Sequence, residues 1–269
     1  MVPPRLILTV LMVAVLACSH ALSPSRPDSG WPNEPEGLTL LTDWGLDQEP
    51  PAVGDAFVAG SPGWSVVTTR GGGTAEGFTA PQGRMQLSKD TSARQSPPFV
   101  YEMIYPEGMV EGRAPATIYY APLGAREVYV GFWWKPSSPF DLGPNGTKIA
   151  FLFNGGGDRG GQQFMALRPD RRLHVLTEYP HDVEWRNANM SSTRVALGEW
   201  HQIEWYCNLS TGALKWWLDG ELVGSHQNLS NPVPFDMFQF SPTWGGNTGA
   251  RKQQTDRYWF DHVRLSVRR

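Results

Sequence analysis

From Glu127 to Val267 the chain is a succession of short β-branched and aromatic runs, each closed by Pro, Gly or Asp within about ten residues. That pattern constrains the fold more than any other feature, because no long window carries the apolar period of an amphipathic helix. Glu127–Lys135 is a strand stopped by Pro136. Lys148–Phe153 alternates Ile149, Phe151 and Phe153 against Lys148, Ala150 and Leu152. Gln163–Leu167 and Arg172–Tyr179 are joined across Pro169-Asp170, a turn signal. Trp200–Leu209 and Ala213–Val223 flank Ser210-Thr211-Gly212, with a second turn at Asp219-Gly220, and Phe235–Phe240 and Arg257–Val267 close the chain. Runs of this length with turns between them predict an all-β fold, two antiparallel sheets packed as a sandwich.

Tryptophan sharpens the picture, at 12 of 269 residues. In Trp133-Trp134 and Trp216-Trp217, successive strand residues point to opposite faces. One ring of each pair is expected in the core and the other on the outer face of its sheet, where an aromatic can stack a sugar. A net charge of −3 leaves no basic footprint for nucleic acid.

The first 21 residues are an address. A short positive start, the apolar stretch Leu6–Ala17 and a small-residue cleavage region make an export signal. Val15-Leu16-Ala17-Cys18 resembles a bacterial lipobox, which would lipidate Cys18. Ser19-His20-Ala21 also fits ordinary cleavage before Leu22. Either cut places the protein outside the cytoplasm, free or lipid-anchored, and beyond this stretch no apolar run is long enough to span a bilayer. Residues 22–37 are rich in Pro, Ser and acid and read as a tether, leaving residues 38–269 as one domain. Cys207, alone in that domain, reads as a small buried hydrophobe.

Motifs exclude more than they assign. Gly155-x-Gly157-x-x-Gly160 follows a strand, but Gln162-Gln163-Phe164-Met165 continues as another strand, so no helix terminus holds a pyrophosphate. It reads as a hairpin loop. Gly-x-Ser-x-Gly, His-Glu-x-x-His and Cys-x-x-Cys are absent from the sequence, and no strand carries the alternating carboxylates of a retaining glucanase. Glu178, Asp182 and Glu184 cluster, but across Pro180. The remaining polar residues are more pointed: Lys148 begins an apolar strand, and Arg168, Arg171 and Arg172 surround one turn. His174, Glu178, Tyr179 and His181 follow, and Gln239 interrupts an aromatic strand. A strand-borne ammonium needs water or an anion beside it. His262 reads as a hydrogen-bonded structural histidine.

Four stretches resemble the concanavalin A-like jelly rolls, and among them the alginate and glucuronan lyases of polysaccharide lyase family fourteen. They are Lys148-Ile149-Ala150-Phe151-Leu152 with Gly155-Gly156-Gly157; Phe164–Arg168; Gly198–Glu204 through Trp217-Leu218-Asp219-Gly220; and Trp244-Gly245-Gly246 with Asp256–Asp261. The resemblance covers about residues 128 to 266. It implies that Lys148, Arg168 and Tyr179 match the family's lysine, arginine and one of its tyrosines; its serine is Ala166 here and its other tyrosine Thr177. It implies β-elimination on an acidic, uronate polysaccharide. Arg168 would neutralise the carboxylate, Lys148 or Tyr179 would take the C5 proton, and Tyr179 or His181 would protonate the leaving oxygen. No cofactor and no catalytic metal is implied, though a structural Ca²⁺ is common in the superfamily. His174, Gln239, Trp134 (or Trp133), Trp185 and Trp244 are the expected substrate-binding residues. A non-catalytic carbohydrate-binding domain would use the same sheet, and a glycoside hydrolase is the weaker alternative. Lys148, Arg168 and Tyr179 are expected to converge on one groove.

Overall fold

A computed structural model describes residues 30–47, 56–58, 63–67, 84–155 and 160–269. The export signal, Cys18, the first half of the tether and Gly157 lie outside these residues. The chain divides into Met1–Pro32 and a second compact unit, Asn33–Arg269. All the described strands belong to the second.

In chain order these are β1 Thr39–Trp44, β2 Ala56–Val58, β3 Trp64–Val67, β4 Arg84–Lys89, β5 Phe99–Tyr105, β6 Thr117–Tyr120, β7 Glu127–Pro136 and β8 Thr147–Asn154. There follow β9 Gln162–Leu167, β10 Leu173–Tyr179, β11 Asp182–Arg186, β12 His201–Asn208, β13 Ala213–Leu218, β14 Glu221–His226, β15 Phe235–Phe240 and β16 Asp256–Arg268. No helix occurs among the described residues. The first sheet runs β14-β13-β12-β7-β16-β5-β4, with β1 beside the C-terminal half of β16. The second runs β11-β10-β9-β8-β15-β6-β3-β2. Every pairing among the described strands is antiparallel, and the fold is a jelly-roll sandwich of two sheets.

The core lies between the sheets and follows from period-two alternation. Val128, Val130, Phe132 and Trp134 of β7 meet Ile203, Trp205 and Cys207 of β12 on the inner face of the first sheet. Met165, Leu167, Leu173, Val175 and Phe238 face them from the second. Both tryptophan pairs divide as alternation requires: Trp134 and Trp216 are wholly buried, while Trp133 and Trp217 lie part-exposed on the outer face. Cys207 is buried, and burial pushes its thiol well above the usual range. The Gly-rich segment after Asn154 joins antiparallel β8 and β9, so it is a hairpin connection. Ala213–Val223 is two strands, broken at Asp219-Gly220, where both residues take positive φ. The compact unit begins ahead of residue 38: the Asn33 backbone and side-chain amides donate to the wholly buried Glu204 at 2.9 and 2.8 Å. His262 pairs with Asp43 across the β1–β16 edge.

Candidate functional site

The outer face of the second sheet is built by one irregularity. Strict alternation would put Lys148 on the same face as Ala150 and Leu152, which belong to the core. The β8–β9 register shifts between Lys148 and Ala150, and a bulge re-aims side chains on either side of it. Lys148 therefore points outward with Phe151 and Phe153. Its ammonium lies 4.7 Å from the centroid of the Phe164 ring and 6.0 Å from that of Phe151.

Register then fixes two rows across this face. Tyr119, Gln239, Phe151, Phe164, Leu176 and Trp185 lie opposite one another on β6, β15, β8, β9, β10 and β11. At the usual spacing between strands this row is about 24 Å long. Phe164 meets Trp185 edge-on at 5.8 Å, and Phe151 stacks on Phe153 at 5.7 Å. Phe151 and Phe164 are 6% and 2% exposed, so they form a floor, while Trp185 and Phe153 stay accessible at its margins. The second row is Lys148, Ala166 and His174. Ala166 contributes only a methyl group, which leaves a notch between the lysine and the histidine.

Beyond the notch, the turn after β9 completes the wall. The Arg168 amide donates to the Arg172 carbonyl at 3.0 Å, Arg171 takes φ 63°, and the Arg172 amide donates to Asp170 at 3.1 Å. Arg168 donates to the Asn145 carbonyl at 2.7 Å and lays its guanidinium over Trp185, 4.5 Å from the ring centroid. Arg168, Pro169, Asp170, His174, Trp185 and Asn187 line an open cleft of about 480 Å³.

The charge state of Lys148 is set by this surface. Burial lowers its pKa, and the charge on Glu178 opposes that only in part. Glu178 is itself hydrogen-bonded by Gln162. Among the described residues no carboxylate stands within ion-pair distance of the Lys148 ammonium. Lys135, on the outer face of the first sheet, makes the contrast. It too lies over aromatic rings, 5.1 Å from Trp200 and 4.7 Å from Trp259, but it is ion-paired to Asp90. Burial works against the charge on Asp90, yet hydrogen bonds from Lys135 and Ser92 bring its pKa down to about 2. One cation is neutralised in place. The other is not.

The expected site residues therefore separate. Lys148, Arg168, His174, Trp185 and Gln239 share the outer face of the second sheet. Tyr179 does not join them: it is 3% exposed and packs into the core, because it stands an odd number of residues from His174 on one regular strand. Burial drives its phenol far above the usual range, with the charge on Asp182 adding to that, and its place in the core keeps it from the groove. Trp134 is wholly buried against Tyr258 at 5.0 Å. Trp244 is 1% exposed and donates its indole N–H to the Asp141 carbonyl at 2.7 Å, under the Lys252 ammonium. Neither indole can stack a sugar. His181 lies past the far end of β10, roughly 17 Å of strand from His174, in a separate cleft of about 250 Å³ that Tyr179 also lines, with Pro180, Asp182 and Asn231. Sequence reasoning missed the phenylalanine floor, Asp170 and Asn187. The alternation of Phe151 and Phe153 was a signal for the floor, but the bulge decides which way it faces. Among the described residues no group of three or more His, Cys, Asp or Glu is placed to hold a metal.

No family model matches this chain, and no curated protein does. Solved structures do. A cellulose-induced protein, Cip1, is 15% identical with a TM-score of 0.51, covering 70% of this chain and 87% of that one. The alginate lyase Aly36B is 14% identical with a TM-score of 0.50, covering 63% and 82%. Domain 4 of AbnA, a GH43 extracellular arabinanase from Geobacillus stearothermophilus in complex with arabinotriose, is 14% identical with a TM-score of 0.50, covering 86% and 93%. At these identities the likeness is one of fold.

Proposed function

We propose that the protein acts on an acidic, uronate-containing polysaccharide laid across the outer face of the second sheet, and cleaves it by β-elimination. The observation that carries this reading is Lys148: a half-buried ammonium, turned outward by a bulge onto an aromatic floor, with no carboxylate within ion-pair distance among the described residues. Leaving a desolvated cation unpaired is costly, and an anionic sugar removes that cost. Arg168 presents a planar fork suited to a carboxylate, with Trp185 beneath it to stack a ring. Withdrawing charge from the C5 carboxylate acidifies the neighbouring proton, and a lysine of lowered pKa is suited to proton transfer. That structural neighbours include an alginate lyase and an arabinanase domain holding arabinotriose agrees with a carbohydrate partner.

A second reading, non-catalytic glycan binding, draws support from the burial of Tyr179, which removes the phenol expected to move a proton. One experiment separates the two. The protein is incubated with alginate, glucuronan, heparin and pectate, and ultraviolet absorbance of the conjugated uronate is followed beside binding by affinity electrophoresis. Absorbance gain on at least one polymer, lowered about 100-fold in Lys148→Ala, is the expected result. Retained binding without absorbance replaces the lyase with the binding domain, and neither signal defeats both. The polymer is met outside the cytoplasm in this proposal, free or through a lipid on Cys18. N-terminal sequencing and mass of the mature chain test that, and an uncut Met1 would overturn it.

A further inference from the structure

His174 holds a second proton-transfer group that the reading above leaves unassigned. The ring stands on β10 opposite Ala166, with Lys148 opposite Ala166 on the other side. The two backbones are roughly 10 Å apart, two strand spacings, and both side chains stand on the outer face of the sheet. His174 Nδ1 lies 2.7 Å from Asn187 Oδ1. A carbonyl oxygen only accepts, so in the neutral ring Nδ1 carries the proton and Nε2 keeps its lone pair. That Nε2 is buried with no hydrogen-bond partner, in a residue 8% exposed that lines the cleft. Buried acceptors are almost always satisfied, and this one stands where a substrate would be.

Burial of the ring favours the neutral form. Burial lowers the pKa of His174 first. The hydrogen bond to Asn187 and the charge on Asp170 raise it, and Arg172 and Arg168 lower it again. Asp170 Oδ2 is 3.8 Å from Nε2, too far for a hydrogen bond but close enough to stabilise an imidazolium once it forms.

We propose that His174 Nε2 is the base that takes the C5 proton, and that Asn187 is the positioning residue that keeps Nε2 unprotonated. This rests on the lyase reading. As Nε2 takes the proton, the C5–H electron pair forms the C4–C5 double bond and the C4–O4 bond breaks. The departing oxygen takes a proton from the Lys148 ammonium, and Arg168 holds the carboxylate through the change. The products are an unsaturated uronate and a free hydroxyl end. Imidazolium and amine then reset by exchanging one proton with water, so no oxidant, metal or co-reactant is consumed.

The test has an arm that needs no activity. In the full chain labelled with ¹⁵N, the His174 Nε2 resonance at neutral pH should be that of an unprotonated nitrogen; a protonated Nε2 overturns the proposal. On whichever uronate polymer the wild type cleaves, His174→Ala should lower kcat by about 100-fold or more, abolish the acidic limb of the pH–rate profile and leave glycan affinity within about twofold, with imidazole restoring part of the rate. Asn187→Ala should lower kcat without weakening binding. Asn187→Asp, which keeps the acceptor and adds charge, should restore rate and move the acidic limb to higher pH. Unchanged kcat in His174→Ala, or equal loss of rate and binding, rejects the base while leaving the lyase standing. A wild type that makes no unsaturated product on any of the four polymers rejects both.

Discussion

His201 and His174 are two buried histidines whose surroundings push them in opposite directions. Burial disfavours the charge on His201, but Nδ1 donates to Asp219 at 2.7 Å and Nε2 to the Ala196 carbonyl at 2.9 Å, and these bonds raise its pKa. Both ring nitrogens can donate only in the imidazolium. A raised folded-state pKa stabilises fully below the unfolded value, about 6.5, and the gain is lost as pH rises through the folded value. Asp219→Asn keeps an acceptor for the Gln202 amide and tolerates the positive φ of that turn, while removing the charge. Its destabilisation should be about 1 kcal/mol between about pH 4 and 6.5, after screening at the half-exposed Asp219, and should shrink above that range. Urea titrations across pH check this; a cost that is constant or grows with pH would remove His201 from the account. The candidate site divides along similar lines of legibility. Residue type marked Lys148, Arg168, His174, Trp185 and Gln239 in the sequence. Parity on a regular strand already forbade Tyr179 from sharing a face with His174, and resemblance overrode it. The outward turn of Lys148 was hidden, because a bulge depends on pairing with another strand.

Strands β13 and β16 of the C-terminal half could be read because their burial alternates along much of their length. β5 could not: its burial is nearly continuous from Val100 to Tyr105, since Val100 packs outside the sheet with Trp200, and a run buried on both faces loses its period. The β13–β14 pair shows how much one element can rest on a missing side chain. Trp216 stacks on His226 with centroids 5.5 Å apart and planes 2° from parallel, and donates its indole N–H to the Leu173 carbonyl of the other sheet at 3.1 Å. Its ring lies directly over Gly224, the residue opposite it, so that a Cβ there would fall inside the indole. Gly224→Ala must therefore push Trp216 away and loosen the bond between sheets. We expect a loss of more than about 2 kcal/mol, as for an overpacked core. Gly220→Ala, at φ 81° but with open space around it, should cost only about 1 kcal/mol from backbone strain. Thermal denaturation of the two variants gives the comparison, and equal losses would mean that Trp216 yields without cost.

At the scale of the whole molecule, a net charge of −3 gives no field to draw an acidic polymer from a distance. Attraction must be local, from Lys148, Arg168 and the arginines of the 168–172 turn, opposed by Asp170 and Glu178. Exposed charges lose reach beyond about 8 Å at physiological ionic strength, so only sugars already on the sheet feel them. Binding of a uronate polymer should then have two separable parts. Salt should weaken the electrostatic part by a few-fold to tenfold between about 0.05 and 0.5 M, and Arg168→Ala should flatten that dependence. Trp185→Ala should instead lower affinity at every salt concentration by about 1 kcal/mol, roughly fivefold, because it removes a stacked surface and not a charge. Affinity electrophoresis at several ionic strengths, with a neutral glucan as control, measures both. A neutral glucan bound as tightly as a uronate polymer, with the same response to salt, would mean that the aromatic row alone recognises the ligand and that the cations above it serve the fold.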